Sequence, residues 1–453
     1  MVTWPRRPRP ELPAGERERL LGEARAVLNR NWRGASTVPA AGLYPHQWCW
    51  DAAFLAIGRS WAEQARAQQE LESLFRGQWA NGMVPHIVFD PTVPADAYFP
   101  GPSFWRSDRA GHSPDGVSTS GITQPALHAR AALEVHRNAA DRDEALAFLH
   151  RLYPRLVAQH DYLARSRDPN ANGLVAMVHP WESGMDNSPA WDDELADVSI
   201  PPGALPHYER RDLVHADPRD RPTDDAYDRF VYLAMTYRDS GYDDAALLSD
   251  SPFLVEDPMF NAICLWSLHA LAEIAGLVGA DPAPHRAAAK RMHDAVLERL
   301  WDPASGRFFG RDPRGGRRGP EDTIISFMPL LDPDLPQATV DAVVARLASP
   351  DFHPPDTSEH FLVPSFDLRS CEFDPRRYWR GPVWLNTDWL LWRGLSQHGR
   401  TAPAEDIAAS MVSLVRRSGY REYFNPFGGE GYGGTDFSWS AALLIDLLSR
   451  GGP

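Results

Sequence analysis

Residues 143–164 read DEALAFLHRLYPRLVAQHDYLA, and apolar side chains recur in this run every three or four residues. This spacing places them on one face of an α-helix. The same period recurs along the whole chain, whereas the alternating, β-branched runs typical of strands are almost absent. The sequence therefore predicts an all-α protein. Its predicted helices span 15–31, 61–79, 124–138, 143–164, 225–237, 258–278, 284–300, 337–348, 383–397, 403–417 and 436–448, with shorter ones at 50–57 and 322–331.

Three predicted connections, 89–121, 185–223 and 350–382, are longer than structureless loops usually are. Each contains several aromatic residues, so we expect these loops to pack over a site rather than extend into solvent. A helical toroid with twelve antiparallel helices fits this layout, because its loops converge at one end and can form the walls and lid of one site. We predict a single domain of this kind over residues 1–453.

The overall composition excludes several classes of partner. The chain has 453 residues, with 46 Lys+Arg and 61 Asp+Glu, and its net charge of −15 argues against binding to nucleic acid. No run approaches 18 consecutive apolar residues, and the first twenty residues lack the apolar centre of a secretory signal. The three cysteines lie far apart, which excludes a disulfide framework and a thiolate zinc site. We expect a cytoplasmic protein without membrane partner, metal or cofactor, and the sequence is compatible with a homo-oligomer.

Two segments combine carboxylates with aromatic residues and glycine. HPWESGMDNSP, at 179–189, contains Glu182 and Asp186, and GYREYFNPFGGEGYGG, at 419–434, contains Glu422 and Glu430. Apolar surroundings raise the pKa of a carboxyl group, as a general acid near neutral pH requires. Taken singly, these acids could equally be turn, capping or solvated loop residues. Together they provide two carboxylates from separate parts of the chain, the minimum for glycoside hydrolysis.

Two further segments combine tryptophan with polar side chains. They are YPHQWCWD, at 44–51, and RYWRGPVWLN, at 377–386. Sugars bind by stacking their C–H faces on aromatic rings and by hydrogen bonds to their hydroxyl groups. Each segment alone is equally consistent with core packing, because the chain has 16 Trp residues that could fill a large helical core.

Two other functions are also consistent with the sequence. Residues 224–228 read DDAYD, which matches the DDxxD magnesium–diphosphate motif of all-α terpenoid synthases. This alternative ranks second, because a clear second metal motif is lacking and the Gly-rich glutamate segment would be unexplained. The other alternative is a sugar-binding toroid without catalysis, although binding alone requires neither Asp186 nor Glu422.

Considered together and in this order, the segments resemble glycoside hydrolase family 63, whose members have (α/α)6-barrel catalytic domains. The resemblance covers roughly residues 40–448 and includes Tyr-Asp-Arg at 227–229, Glu-Tyr-Phe at 422–424 and Phe-Ser-Trp at 437–439. It implies an inverting α-glycosidase in which Asp186 is the general acid and Glu422 the general base. Glu430 is the alternative base, since it also lies among glycines.

The compact members of that family hydrolyse mannosylglycerate and glucosylglycerate, and the resemblance implies a substrate of this type. A neutral glucobioside or oligosaccharide is the alternative substrate. The resemblance places Tyr98 and Arg229 against the glycerate carboxylate, where an arginine can form a bidentate pair. The residues predicted to bind the substrate are Tyr44, Trp48, Asp51, Tyr98, Gln124, Glu182, Arg229, Tyr378, Trp379, Gly381, Trp384 and Glu430.

Overall fold

The computed structural model describes residues 4–5, 12–214, 216–316, 319, 321–354 and 360–452, so parts of the loops at 185–223 and 350–382 lie outside the described residues. Its α-helices are α1 (Ala14–Asn31), α2 (Cys49–Arg59), α3 (Gln64–Arg76), α4 (Pro102–Trp105), α5 (His128–Asn138), α6 (Arg142–Ser166), α7 (Asp192–Ala196), α8 (Asp224–Asp239), α9 (Asp244–Asp250), α10 (Pro258–Leu277), α11 (Ala283–Ala295), α12 (Gln337–Leu347), α13 (Leu385–Gln397), α14 (Thr401–Ser418) and α15 (Ser438–Ser449). The strands are β1 (Gln47–Trp48), β2 (Ile87–Val88), β3 (Ala176–Met177), β4 (Val255–Glu256), β5 (Trp301–Asp302), β6 (Arg307–Phe308), β7 (Arg421–Phe424) and β8 (Gly431–Thr435).

Six segments form a closed inner ring in which each packs against the next. Their order around the ring is α2, α5, α10, the 3-10 segment Ile324–Leu331, α13 and α15, and α15 packs back on α2. A second helix covers each inner segment from outside: α3, α6, α11, α12, α14 and α1, respectively. This arrangement is an (α/α)6 barrel, and the predicted fold class is confirmed.

The inner helices are buried on nearly all sides, because they face both the barrel interior and the outer layer. All eleven residues of α2 are buried, as are sixteen of the twenty in α10. By length and composition alone α10 could cross a membrane, but 78% of its apolar window is buried inside the protein. That degree of burial is typical of a core helix.

Two of the predicted helices differ from the α-helices of the barrel ring, one in its position and one in its helix type. The segment 225–237 is helical as α8, but α8 packs on α4 and does not belong to the ring. The segment 322–331 forms the 3-10 member of the ring, with Pro329 inside it. Because proline has no amide hydrogen, Pro329 interrupts the α-helical hydrogen-bond pattern.

Short antiparallel strand pairs, which periodicity did not reveal, hold several site residues. β1 pairs with β2, and β7 pairs with β8. Trp48 lies at the end of β1 directly before α2, and Glu422 lies in β7. These strands are too short to show an alternating sequence pattern, yet their pairing determines where both side chains point.

Candidate active site

A cavity that opens to solvent lies near the first residues of α2 and α15, and its empty space together with the solvent at its mouth is about 760 Å³. All three of the long predicted loops or their flanking segments contribute residues to it. The lining residues are Pro39, Leu43, Tyr44, Trp48, Trp50, Asp51, His86, Tyr98, Phe99, Gln124, Trp181, Gly184, Asp186, Asp212, Arg221, Pro222, Tyr227, Tyr378, Glu422, Phe437 and Trp439.

Asp186 lies at the end of a turn that buried polar contacts hold in place. Glu182, four residues earlier, accepts a hydrogen bond from the backbone N–H of Val178 (2.9 Å) and pairs with the buried Arg167 (2.9 Å). Glu182 is fully buried and does not line the cavity. The prediction that it binds substrate is therefore wrong: its carboxylate is used by Val178 and Arg167 and stabilises the turn.

The same turn depends on Gly184, which has a positive φ of 72°. A Cβ at this position would lie 2.4 Å from Cζ2 of Trp50, a cavity residue. We expect Gly184→Ala to lower the free energy of unfolding by about 2–5 kcal/mol, because it combines left-handed backbone strain with overpacking. Chemical denaturation will measure the change.

Gly203→Ala is the matched control, because Gly203 also has a positive φ (76°) but no heavy atom lies within 4 Å of its Cβ position. It should lose only about 1–2 kcal/mol, the cost of backbone strain alone. Equal losses in the two variants would contradict the proposed clash with Trp50.

The environment of Asp186 suits a proton donor. Burial raises the pKa of Asp186 to about 7, and the nearby Glu422 and Asp212 also raise it, whereas Arg221 opposes the shift. Near neutral pH a substantial fraction of this carboxyl group is therefore protonated. A group in this state can donate a proton to a leaving oxygen.

Glu422 is held on both carboxylate oxygens. The Tyr44 hydroxyl donates a hydrogen bond to Oε1 (2.9 Å), and the backbone N–H of Gly434 donates one to Oε2 (2.9 Å). Nη1 of Arg221 lies 3.6 Å from Oε1. These contacts hold the Glu422 carboxylate in one orientation, in which an oxygen can accept a proton from water as a general base does.

Arg221 places a buried positive charge beside this carboxylate. Its Nη2 donates to the Tyr44 hydroxyl (2.8 Å), and its guanidinium lies 4.3 Å from the ring centroid of Tyr378. Burial lowers the pKa of Arg221, but Tyr44, Tyr378 and nearby carboxylates raise it above the ordinary value. Its buried Nη1 has no hydrogen-bond partner among the described residues. A buried donor in this state can bind an anionic ligand.

Asp212 lies on the other side of the guanidinium. Its carboxylate accepts hydrogen bonds from Arg210 (2.7 Å) and from Nε of Arg221 (3.4 Å). Burial raises the pKa of Asp212, but these two arginines lower it below the ordinary value. The ionised Asp212 therefore helps to orient Arg221 toward the cavity.

The remaining wall combines aromatic rings with free donors. Trp48 packs edge-on against Tyr44, with ring centroids 5.3 Å apart. The indole N–H groups of Trp48 and Trp439 are buried and have no partner in the described part of the chain. Burial and the charge of Glu422 raise the pKa of Asp51 well above its usual range. Rings, indole donors and a carboxyl group that can donate are suited to a sugar with several hydroxyl groups.

Comparison with known proteins assigns the family. Residues 44–440 match the family model described as "Mannosylglycerate hydrolase MGH1-like glycoside hydrolase domain". The chain belongs to this glycoside hydrolase family. It is therefore an enzyme that hydrolyses glycosidic bonds, and the resemblance seen in the sequence is confirmed.

Relatives of this glycoside hydrolase match it over nearly their whole length. The mannosylglycerate hydrolase of Rubrobacter radiotolerans is 42% identical over 97% of this chain and 99% of its own. The glucosylglycerate hydrolase of Mycolicibacterium hassiacum is 38% identical over 97% and 100%, respectively. The crystal structure of the GH63 mannosylglycerate hydrolase from Thermus thermophilus in complex with Tris and D-glycerate is 41% identical, with a TM-score of 0.88 over 95% of this chain and 100% of that chain.

The cavity of this glycoside hydrolase brings together most of the residues that the sequence analysis selected. The two predicted catalytic carboxylates lie in the same cavity although 236 positions separate them in the chain (422 − 186). The predicted residues that line the cavity are Tyr44, Trp48, Asp51, Tyr98, Gln124, Asp186, Tyr378 and Glu422.

Trp379, Gly381 and Trp384, which were predicted to bind the substrate, do not line the cavity. Trp379 and Trp384 stack on each other with ring centroids 3.7 Å apart, and the Trp384 indole donates to the backbone oxygen of Tyr378 (3.0 Å). A Cβ on Gly381 would lie 2.4 Å from the backbone oxygen of Asp374. Trp379 and Trp384 therefore support Tyr378, whereas Gly381 packs against Asp374, and the prediction that these three residues contact substrate directly is corrected.

Arg229 and Glu430 are also outside the cavity lining. Arg229 pairs with Asp225 on the outer side of α8, whereas Tyr227, two residues earlier, lines the cavity. Residues two apart on a helix point in nearly opposite directions, so only one of them can face the site. Glu430 is exposed, so the structure does not support it as the alternative base.

The DDxxD alternative is wrong. Side chains of Asp224 and Asp225 are 85% and 78% exposed, and they pair with Arg210 and Arg229, respectively. Asp228 accepts a hydrogen bond from Tyr208. None of the three aspartates lines the cavity, so they do not form a diphosphate site there.

Four cavity residues were not predicted from the sequence, namely Arg221, Asp212, Tyr227 and Trp439. Arg221 and Asp212 lie in the long loop at 185–223, which was selected for its aromatic residues only. A single arginine in an irregular loop has no periodic signal. Trp439 belongs to the Phe-Ser-Trp segment at 437–439, and this motif is the sequence signal that could have identified it as a site residue.

Proposed function

We propose that this enzyme hydrolyses α-glycosides of glycerate, with a glucosyl or a mannosyl group as the sugar. The proposal rests on Arg221, a buried cation of the cavity lining whose Nη1 forms no hydrogen bond among the described residues. The other cavity residues include four with carboxyl side chains, Asp51, Asp186, Asp212 and Glu422. The guanidinium can form a charge-assisted hydrogen bond with the glycerate carboxylate. The proposal is also supported by the names of the relatives and by the D-glycerate complex of the Thermus enzyme.

In the proposed reaction, Asp186 donates its proton to the glycosidic oxygen as the bond to the sugar breaks. Glu422 accepts a proton from a water molecule, which attacks the anomeric carbon from the opposite face. The configuration at that carbon is thereby inverted. Tyr44 and Gly434 keep the Glu422 carboxylate directed by hydrogen bonds during this step.

The test follows the anomeric protons by NMR while the purified enzyme acts on 2-O-α-glucosyl-glycerate and, separately, on 2-O-α-mannosyl-glycerate. Release of the β-anomer before mutarotation supports the substrate class and inversion together. Early α-anomer would contradict the two-carboxylate inverting mechanism. Faster hydrolysis of a neutral α-glucobiose than of either glycerate substrate would favour the alternative α-glucosidase function.

The pH dependence of kcat/KM gives a second prediction. Since burial raises the pKa of Asp186 to about 7, its protonated form predominates below pH 7 and is lost above it. We expect kcat/KM to decrease about tenfold per pH unit on the alkaline side of an apparent pKa near 7. An aspartate with an ordinary pKa would already be ionised at pH 6, so a profile without this alkaline limb would contradict the role of Asp186 as acid.

The cytoplasmic location, the oligomeric state and the assignment of the whole chain to one domain stay predictions. Gel filtration combined with light scattering will determine the oligomeric state. None of these properties enters the proposed mechanism.

A further inference from the structure

A group of nitrogen and oxygen ligands lies away from the catalytic cavity. His269 belongs to α10, and Asp332 and Asp334 follow the 3-10 segment Ile324–Leu331 of the inner ring. None of the three lines the cavity. One imidazole nitrogen and one carboxylate oxygen from each aspartate all lie within 4.8 Å of one another.

The spacing is too wide for direct hydrogen bonds and suitable for an ion between the ligands. Nε2 of His269 lies 3.8 Å from Oδ1 of Asp332 and 3.9 Å from Oδ2 of Asp334. Hydrogen bonds between nitrogen and oxygen are shorter, about 2.7–3.2 Å. Two ligands bound at about 2.1 Å to one ion are separated by roughly 3.0–4.2 Å.

The His269 nitrogen is also an unsatisfied polar atom. It is inaccessible to solvent and has no hydrogen-bond partner among the described residues, although the whole side chain is 29% exposed. Buried polar atoms normally have a partner, and one that lacks it within the protein can coordinate a ligand.

The central carboxylate is held in one orientation. Asp332 is buried, its Oδ2 accepts a hydrogen bond from Nδ1 of His293 (2.5 Å), and its Oδ1 accepts one from the backbone N–H of Asp334 (3.0 Å). Carboxylate–histidine pairs of this kind commonly orient metal ligands. Asp334 is 71% exposed, which leaves a path by which an ion and water can enter.

We infer that His269, Asp332 and Asp334 bind a divalent transition-metal ion that links α10 to the end of the inner 3-10 segment. Imidazole together with carboxylates favours Zn²⁺ or a similar ion over Ca²⁺ and Mg²⁺, which prefer oxygen ligands alone. The ion stabilises the barrel and takes no part in hydrolysis. It therefore does not conflict with a metal-independent reaction at Asp186 and Glu422.

The test is Zn²⁺ binding by the chelator-treated enzyme, measured by calorimetry and by thermal melting. At a Zn²⁺ concentration about 100-fold above Kd, the melting temperature should rise by about 3 °C. His269→Ala and Asp334→Asn should each raise Kd about tenfold or more. His150→Ala, which alters an exposed histidine on α6, is the matched control and should bind Zn²⁺ as the unaltered enzyme does.

Two results would overturn the inference. One is an unaltered enzyme that shows neither heat of binding nor a change in melting temperature with Zn²⁺. The other is binding by both site variants with the same Kd as His150→Ala, which would mean that Zn²⁺ binds elsewhere. Because Asp334 is largely exposed, Asp334→Asn should stay folded and keeps the test decisive if His269→Ala is unstable.

Discussion

Asp186→Asn should lower kcat for a glycosyl glycerate by about 10² to 10⁴-fold, the usual contribution of a positioned proton donor. The amide is close in shape to the carboxyl group, but it cannot release a proton to the glycosidic oxygen as a carboxylic acid does. The decisive measurement adds α-glucosyl fluoride, whose leaving group needs no proton. The variant should retain much more of its activity on the fluoride than on the glycerate substrate.

Glu422→Gln and Glu430→Gln complete this experiment. Glu422→Gln should lose activity on both substrates, because water activation is required whichever group leaves. Glu430→Gln should behave as the unaltered enzyme, because Glu430 is exposed outside the cavity. Full activity of a folded Glu422→Gln variant, or strong loss in Glu430→Gln, would contradict the assignment of Glu422 as base.

The second large effect is expected for Arg221→Met. Loss of a hydrogen bond between charged partners costs about 1.5–3 kcal/mol, which corresponds to a decrease in kcat/KM of about 10- to 150-fold. This decrease should apply to glucosylglycerate, whereas glucosylglycerol, in which CH₂OH replaces the carboxylate, should be affected much less. The ratio of the two kcat/KM values is the informative quantity, because Arg221 also contacts Tyr44 and Glu422 and its loss affects every substrate.

Arg229→Met is the control for this prediction. Arg229 pairs with Asp225 outside the cavity, so its replacement should leave the substrate ratio unchanged. If Arg229→Met lowers the ratio and Arg221→Met does not, the glycerate carboxylate is recognised by Arg229, as the family resemblance implied. The assignment of Arg221 would then be wrong. Arg221→Lys should recover only part of the ratio, because an ammonium group lacks the planar fork of the guanidinium.

Helix positions were predictable because each helix buries one face, and burial imposes a period of 3.6 residues on the sequence. The predicted helix at 143–164 corresponds to α6 (Arg142–Ser166), and that at 258–278 to α10 (Pro258–Leu277). Membership in the ring was not predictable in the same way. α8 has the same kind of hydrophobic pattern as the barrel helices, yet it packs on α4. The periodicity of a helix shows that one of its faces is buried, but it does not show which element buries that face.

The site shows a similar division between Glu182 and Asp186. Both lie in the same short segment, and the sequence alone identified this segment as a source of carboxylates. Only the turn ending at Gly184 separates their roles, because it directs Asp186 into the cavity and Glu182 toward Arg167. Arg221 was missed for the related reason that its function depends on Tyr44, Tyr378 and Glu422, all distant in the chain.

By itself, the sequence determined that this protein is helical and that it resembles an (α/α)6-barrel glycosidase. Through that resemblance it indicated Asp186 as the candidate acid and Glu422 as the candidate base, with Glu430 as the alternative base. These properties are local, since they depend on periodicity and on short motifs. Only the tertiary structure decided that Arg221 rather than Arg229 lies in the cavity, and that Trp379 and Trp384 support Tyr378 instead of lining the site. The physical reason is that a side chain reaches a shared cavity only through the direction of its backbone and the packing of distant segments, and neither is recorded in the residues adjacent to it.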